Sequence, residues 1–170
     1  MIWDALKRVF QGGERKERAL VVEDDPAIRD LIRYHLKTAG MGMTAVRSCD
    51  EALELATRTP ERFSLFIFET VVDGRNGLEL ARQVRLARET SRIPILFLLD
   101  RGTEDEAARL KRTFAHTRVM MKPFSGLRFI EEVKAAIRSR NTRPTAKSSL
   151  RGSSPVPRPV RMRVRGFDGF

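Results

Sequence analysis

The sequence predicts an open, doubly wound α/β fold, in which helices cover both faces of a parallel sheet. Between residues 19 and 139, short apolar stretches alternate five times with longer segments of helical periodicity. Two of these stretches, Leu65–Phe68 and Ile95–Leu99, are apolar throughout, which is typical of strands buried on both faces. Repeated βα units joined by right-handed crossovers place the functional crevice at the carboxyl ends of the strands.

Each element is predicted from its own pattern of apolar residues. The predicted strands are Ala19–Val22, Met43–Val46, Leu65–Phe68, Ile93–Leu99 and Arg118–Met121. The predicted helices span about 26–39, 49–58, 77–90, 103–113 and 125–139. Strands and helices therefore alternate along the chain as a parallel sheet requires.

Capping residues mark the beginnings of the predicted helices. Asp25-Pro26 supplies an N-cap and a first-turn proline for the first helix. Asn76-Gly77 predicts a turn before the third helix. Two further pairs have capping-box spacing, namely Ser48 with Glu51 and Thr103 with Glu106.

Residues 1–17 precede the predicted domain, which spans residues 18–139. Residues 1–11 are predicted to form an amphipathic helix that ends at Gly12-Gly13. Its apolar face consists of Ile2, Trp3, Leu6, Val9 and Phe10. Because an isolated helix of this length is marginal in water, we expect it to dock on its own domain, on a partner or on a membrane surface.

The net charge of +11 is unevenly distributed. Residues 140–170 hold eight basic side chains and one acidic side chain, a net charge of +7, which leaves +4 for residues 1–139. Proline, serine and glycine accompany these arginines, so the tail is predicted to be disordered. We expect it either to bind an acidic partner or to remain solvated, with nucleic acid as a further alternative.

Several protein classes are excluded by composition. The single cysteine, Cys49, excludes an internal disulfide framework and fits a reducing cytoplasm. No apolar run approaches the roughly 20 residues of a membrane span, and charged residues interrupt the N-terminal apolar stretch before it could serve as a signal peptide. His35 and His116 have no cysteine at ligand spacing, which argues against a zinc site.

Charged residues follow three of the predicted strands at the same edge of the sheet. Glu23 and Asp24 follow the first strand, Glu69 follows the third, and Lys122 follows the fifth. Crowded carboxylates require a cation, which could be Lys122 or a hard ion such as Mg²⁺. This combination suits phosphoryl transfer to a carboxylate.

Four stretches occur together in an order and spacing that carry a family resemblance. They are Leu20-Val-Val-Glu-Asp-Asp-Pro26, Leu65-Phe-Ile-Phe-Glu69 with Asn76-Gly77, Ile93-Pro-Ile-Leu-Phe-Leu98, and Lys122-Pro-Phe-Ser125. In these stretches residues 19–139 resemble a receiver domain of two-component response regulators. The resemblance implies a flavodoxin-like (βα)5 fold that takes a phosphoryl group from a histidine kinase onto an aspartate, with Mg²⁺, and then reshapes a surface that partners read.

The resemblance assigns roles to individual residues. Glu23 and Asp24 match the acidic pair that holds Mg²⁺, and Lys122 matches the lysine that pairs with the phosphoryl group. Val71 matches the position whose backbone carbonyl reaches the metal. The family usually has a cis peptide at the position of Lys122-Pro123. Because Glu69 could satisfy Lys122 directly, binding of Mg²⁺ stays open.

Three positions depart from the family pattern. Glu69 replaces the phosphoacceptor aspartate, Leu99 replaces the Ser or Thr that hydrogen-bonds the phosphoryl group, and Val119 replaces the switch aromatic. A shift of about 1 Å in a reacting atom can reduce a rate on the order of 10²-fold. The longer Glu69 would therefore be a poor acceptor, while its charge imitates part of a phosphorylated aspartate.

These departures predict a noncatalytic, single-domain pseudo-receiver that acts in cytoplasmic bacterial signalling without phosphorylation. We expect it to bind a protein partner through the face formed by helix four, strand five and helix five. The N-terminal helix could provide further contacts with the partner. Too few residues follow position 139 to build a helix-turn-helix output domain. Two alternatives are a working phosphorelay receiver that uses Glu69 or a nearby carboxylate, and a nucleic-acid-binding adaptor that uses the tail.

Overall fold

The computed structural model describes residues 17–72 and 74–141, and it confirms the predicted five-stranded parallel sheet. The strands are β1 (Arg18–Val22), β2 (Gly42–Val46), β3 (Leu65–Glu69), β4 (Ile95–Leu99) and β5 (Thr117–Met121). Their spatial order is β2-β1-β3-β4-β5, with every neighbouring pair parallel. This is the flavodoxin-like strand order. Its crevice lies at the point where the strand order reverses, between β1 and β3.

Five α-helices connect and cover the strands. They are α1 (Pro26–Thr38), α2 (Cys49–Arg58), α3 (Gly77–Leu86), α4 (Glu104–Thr113) and α5 (Gly126–Asn141). A short 3-10 turn (Pro60–Arg62) precedes β3, and an antiparallel ribbon of Val71–Val72 and Arg75–Asn76 follows it. The ribbon was not predicted, because two-residue strands leave no periodicity to detect. The predicted N-terminal helix and nearly all of the predicted tail lie outside the described residues.

Strand alternation divides the buried side chains into two cores, one on each face of the sheet. Ala19 and Val21 of β1 pack beneath α1 and α5, whereas Leu20 and Val22 pack beneath α2, α3 and α4. The central strands β3 and β4 are buried along their apolar lengths, as predicted. Of the helices within the described ranges, none is long and apolar enough to span a bilayer.

The helix caps agree with the sequence in two of the three cases where a capping side chain was expected. The Asp25 carboxylate accepts hydrogen bonds from the amides of Ala27 and Ile28 at 2.7 and 3.2 Å. Ser48 Oγ accepts a hydrogen bond from the Glu51 amide in the first turn of α2 at 3.3 Å. Thr103 is the N-cap residue of α4, as predicted, but the expected hydrogen bond between its side chain and the helix is absent. Its hydroxyl donates instead to the Asp100 carbonyl at 2.7 Å, because it closes the turn that leaves β4.

The boundary between α3 and β4 also differs from the prediction, since α3 ends at Leu86 rather than near residue 90. The buried Thr90 hydroxyl donates to the carbonyl of Val84 at 2.6 Å, which folds the chain back against the end of the helix. The Arg85 guanidinium donates to the Ile93 carbonyl at 2.7 Å, and burial lowers the pKa of Arg85 to about 10. Because Pro94 has no N–H to donate, β4 begins after it.

Candidate functional site

The carboxyl edge of the sheet brings together the charged residues that the sequence placed at the ends of three strands. Glu23 follows β1, Glu69 ends β3 and Lys122 follows β5, and all three line one cleft with Asp24 and Asp100. The cleft has a volume of about 750 Å³. The prediction that these residues share one crevice is therefore confirmed as geometry.

A direct ion pair joins the middle of this group. Lys122 Nζ donates to Glu69 Oε1, and the two side chains are only 13% and 14% exposed. Asp100 lies at the rim, 78% exposed, with its Oδ1 3.7 Å from the same ammonium. Burial alone lowers the pKa of Lys122, but the hydrogen bond and charge of Glu69, with the charges of Glu23 and Asp100, outweigh it and raise that pKa.

Beside the ion pair, three carboxylates converge. Oxygens of Glu23, Asp24 and Glu69 all lie within 4.8 Å of one another. Glu23 is 1% exposed, and its Oε1 accepts a hydrogen bond from the Asp25 amide at 3.0 Å. Its Oε2 is enclosed and receives no hydrogen bond from the described part of the chain.

The surroundings of Glu23 disfavour its charged form. Burial, followed by the hydrogen bond to Glu69 and the charge of that residue, raises the pKa of Glu23 to about 7, although the hydrogen bond from the Asp25 amide and the charge of Lys122 act to lower it. A buried carboxylate oxygen without a donor, facing two other carboxylates, fits a hard divalent cation that takes oxygen ligands. The donor set therefore suits Mg²⁺.

A close backbone approach fixes Glu69 in the cleft. The Gly77 amide donates to the Thr70 carbonyl at 2.8 Å, and a Cβ atom at Gly77 would overlap the Glu69 carbonyl oxygen. Only glycine permits this approach of α3 to the end of β3. The sequence identified a turn at Asn76-Gly77, and Asn76 indeed caps α3 through the Leu78 amide at 2.8 Å, but the reason for the glycine emerges from packing.

One functional contributor, Arg29, was missed from the sequence. This residue of α1 is 8% exposed, and its guanidinium donates to the backbone carbonyls of Glu23 and Asp24 at 3.0 and 3.2 Å. Its charge lies beneath the acidic loop and holds the loop in place. A signal was present, because Arg29, Ile32 and Leu36 share the buried stripe of the helix.

The positions that would carry a hydroxyl and an aromatic side chain hold aliphatic residues packed into the core. Leu99 is 1% exposed and lies in the same apolar cluster as Val119 and Met121. Its carbonyl accepts a hydrogen bond from the Lys122 amide at 2.6 Å, which joins the ends of β4 and β5. The Lys122-Pro123 peptide is cis, as the resemblance implied. The Val71 side chain is exposed.

Comparisons with known proteins agree with this geometry. The sequence profile of the response regulator receiver domain family matches residues 19–134. The phosphate regulon transcriptional regulatory protein PhoB of Rhizobium meliloti (strain 1021) is 37% identical over 131 residues, which are 76% of this chain and 55% of that protein. The chain spans about half the length of the curated relatives it matches.

Solved structures show the same fold. The chemotaxis response regulator CheY4 of Vibrio cholerae superimposes with a TM-score of 0.64 at 23% identity, covering 71% of this chain and 98% of that one. The receiver domain of a sensor histidine kinase from Pseudomonas aeruginosa PAO1 gives a TM-score of 0.62 at 21% identity, covering 72% and 98%. That second structure has a magnesium ion coordinated in its active-site cleft.

Proposed function

The chain belongs to the response regulator receiver domain family, and we propose that within this family it is a pseudo-receiver, a protein-interaction module that works without phosphorylation. In this proposal the domain presents one fixed face to a partner in two-component signalling. Its relatives in the family supply the signalling context, and the departures at three site positions supply the reason for a fixed state.

One observation carries the proposal, namely the ion pair between Glu69 and Lys122. In the cleft this carboxylate occupies the acceptor position and already satisfies the lysine that would pair with an incoming phosphoryl group. A phosphoryl group entering the cleft would compete with Glu69 for the Lys122 ammonium, and a charge-assisted hydrogen bond contributes about 1.5–3 kcal/mol. The buried Leu99 then offers no hydroxyl to hold the transferred group.

Mg²⁺ remains compatible with this function. Glu23, Asp24 and Glu69 would hold the ion, which would neutralise the crowded carboxylates and, in a phosphorylating receiver, the phosphoryl group. In a pseudo-receiver the same ion would serve stability, because a ligand that binds only the folded state stabilises that state. Arg29 positions the loop that carries two of the three carboxylates.

The partner-binding face we propose is formed by α4, β5 and α5. An ion pair between Arg118 Nε and Glu132 Oε2 at 2.5 Å links β5 to α5 across this face. Lys111 and Arg112, in the last turn of α4, are exposed beside it. We therefore expect a partner with acidic groups opposite the end of α4.

The deciding experiment treats the protein with a small-molecule phosphodonor and Mg²⁺ and measures its intact mass. We expect no phosphoryl adduct on the wild type. The double variant Glu69→Asp with Leu99→Thr should form one, because it restores the shorter nucleophile and the hydroxyl. Glu69→Asn with Leu99→Thr is the matched control, since its amide has the shape of aspartate but cannot accept the group.

A stoichiometric adduct on the wild type that is lost in Glu69→Gln would replace the proposal with the phosphorelay alternative. An adduct that persists in Glu69→Gln would assign the acceptor to another carboxylate. Where neither the wild type nor the aspartate variant reacts, while circular dichroism shows both to be folded, loss of phosphorylation cannot be attributed to Glu69 and Leu99, and this explanation fails.

A further inference from the structure

Outside the acidic cleft, the described surface has an apolar area on α1 and α5 that nothing in the described chain covers. Leu31 and Tyr34 of α1 are 43% and 66% exposed, and Leu127 of α5 is 72% exposed. Two half-buried residues, Ile28 and Phe124, continue it to the wall of the cleft. We name these five residues the α1–α5 apolar patch.

The two helices that carry the patch are in contact with each other. The His35 ring lies 5.9 Å from the Phe129 ring between centroids, and a Cβ at Gly126 would overlap the His35 ring. Tyr34 precedes His35, with its ring in edge contact at 5.3 Å, and Leu127 follows Gly126. Large apolar side chains are thus exposed on both sides of one helix–helix contact, an arrangement typical of a docking surface.

The chain leading to residues 1–11 enters near this surface. The Glu17 carbonyl accepts a hydrogen bond from the Gly42 amide at 2.8 Å, which fixes the start of β1 at the amino edge of the sheet. Glu17 shares a pocket there with Arg140 near the end of α5. The side chains of β1 that face α1 and α5, Ala19 and Val21, are in the same core as Phe129.

The chain between Glu17 and residues 1–11 is long enough to rise along α1 to the level of Tyr34 and Leu31. Residues 12–16 can span at most about 17 Å when extended. Tyr34 and Leu31 precede the end of α1 by four and seven residues, so they lie about 6 and 10 Å above the amino edge. A helix made by residues 1–11 would be about 16 Å long, enough to continue from there toward Leu127 at the start of α5.

Residues 1–11 are complementary to the patch in both apolar character and charge. Residues 1–11 carry Ile2, Trp3, Leu6, Val9 and Phe10 on one helical face. The same segment carries Lys7 and Arg8 against one acid, Asp4, whereas Asp24, Asp25 and Asp100 line the cleft beside the patch. We propose that residues 1–11 pack their apolar face on the α1–α5 apolar patch of the same chain.

A partner that binds the α1–α5 apolar patch must therefore displace residues 1–11 first. The docking does not rest on the proposed function, because none of the observations behind it concerns Glu69, Lys122 or phosphorylation.

The chain contains one tryptophan and one tyrosine, which makes the test direct. Energy transfer from Tyr34 to Trp3 reports the docked state in the unmodified protein, and acrylamide quenching reports the exposure of Trp3. We expect transfer and a protected Trp3 in the native wild type, both lost in denaturant. Neither should depend on protein concentration, because the contact is within one chain.

Surface variants separate docking from folding. Leu31→Glu with Leu127→Glu should lower the ratio of docked to free segment at least about tenfold, since each buried leucine contributes more than the 1.4 kcal/mol that a tenfold change requires. Energy transfer should then be lost and Trp3 quenching should rise to the denatured value. The matched control is Leu86→Glu, which charges an 86% exposed leucine on the opposite face of the sheet and should change nothing.

Unchanged transfer and quenching in the double variant would overturn the proposal. So would protection that falls on dilution, which indicates a second copy as the occupant, or protection that arises only on adding anionic phospholipid vesicles, which indicates a membrane surface. Far-UV circular dichroism checks that each variant is folded. If the double variant unfolds, Leu127→Gln alone gives the same reading with a milder change.

Discussion

Replacing Glu23 by glutamine should stabilise the folded protein at neutral and alkaline pH when metal is absent. The folded environment raises the pKa of this carboxyl from an ordinary value of 4.5 to about 7. The folded state therefore binds more protons than the unfolded state between these values, and stability falls as pH rises through this window. Below pH 4.5 the carboxyl is neutral in both states, and the variant should match the wild type.

The size of the effect follows from the shift. One pKa unit corresponds to 1.36 kcal/mol, so a rise from 4.5 to about 7 corresponds to about 3 kcal/mol of lost stability above pH 7. Glutamine keeps the shape of the side chain and can donate to the Glu69 carboxylate that faces Glu23 Oε2. Glu23→Gln should thus gain up to about 3 kcal/mol over the wild type at pH 8.

The assay is urea unfolding followed by circular dichroism at several pH values from 4 to 8, with EDTA present. The quantity of interest is the difference in unfolding free energy between variant and wild type, because other titrating groups cancel in it. Glu131→Gln, on the exposed side of α5, removes the same charge away from the cleft and controls for net charge. A difference that stays constant with pH, or one that favours the wild type at pH 8, would refute the reasoning.

Three further predictions concern the support of the site and the tail. Arg29→Met should lower the unfolding free energy by about 2–4 kcal/mol, since two backbone carbonyls lose a charged donor. The same variant should weaken Mg²⁺ binding in calorimetry, and an unchanged Mg²⁺ affinity would contradict the positioning role of Arg29. Gly77→Ala should cost about 1–3 kcal/mol in the same unfolding assay, because its Cβ would overlap a backbone oxygen. Deleting residues 142–170 tests the adaptor hypothesis. Binding of nucleic acid to the full chain that weakens steeply with salt and disappears on deletion would support it, and absence of binding would remove it.

Much of the fold could be predicted from the sequence because its periodicity is strong. The apolar runs of β3 and β4 become the buried centre of the sheet, and Asp25 caps α1 as its position before a proline indicates. Boundaries were harder to predict. The helical pattern favours a longer α3, but the hydrogen bonds that Thr90 and Arg85 make within the turn after the helix end it early.

The site was predicted as a set of residues rather than as a network of interactions. The strand-end rule placed Glu23, Glu69 and Lys122 at one edge, which the structure confirms as geometry. Direct pairing of Lys122 with Glu69 was one of the outcomes that the sequence left open, and the structure has it. That one oxygen of Glu23 is left without a donor depends on side-chain conformations that no sequence pattern encodes. The role of Arg29 was missed although its position on the buried stripe of α1 gave a signal, because charged residues on helices are usually solvated.

The pairing of Glu69 with Lys122 also bears on how long a signal lasts. A phosphoryl group on a receiver is removed by hydrolysis, so the rate of hydrolysis sets the lifetime of the phosphorylated state. An ion pair between two side chains of one polypeptide is not consumed, and no phosphatase erases it. A pseudo-receiver built on this pair would signal in proportion to the amount of the protein in the cell. Its signal would end only when the protein is diluted or degraded.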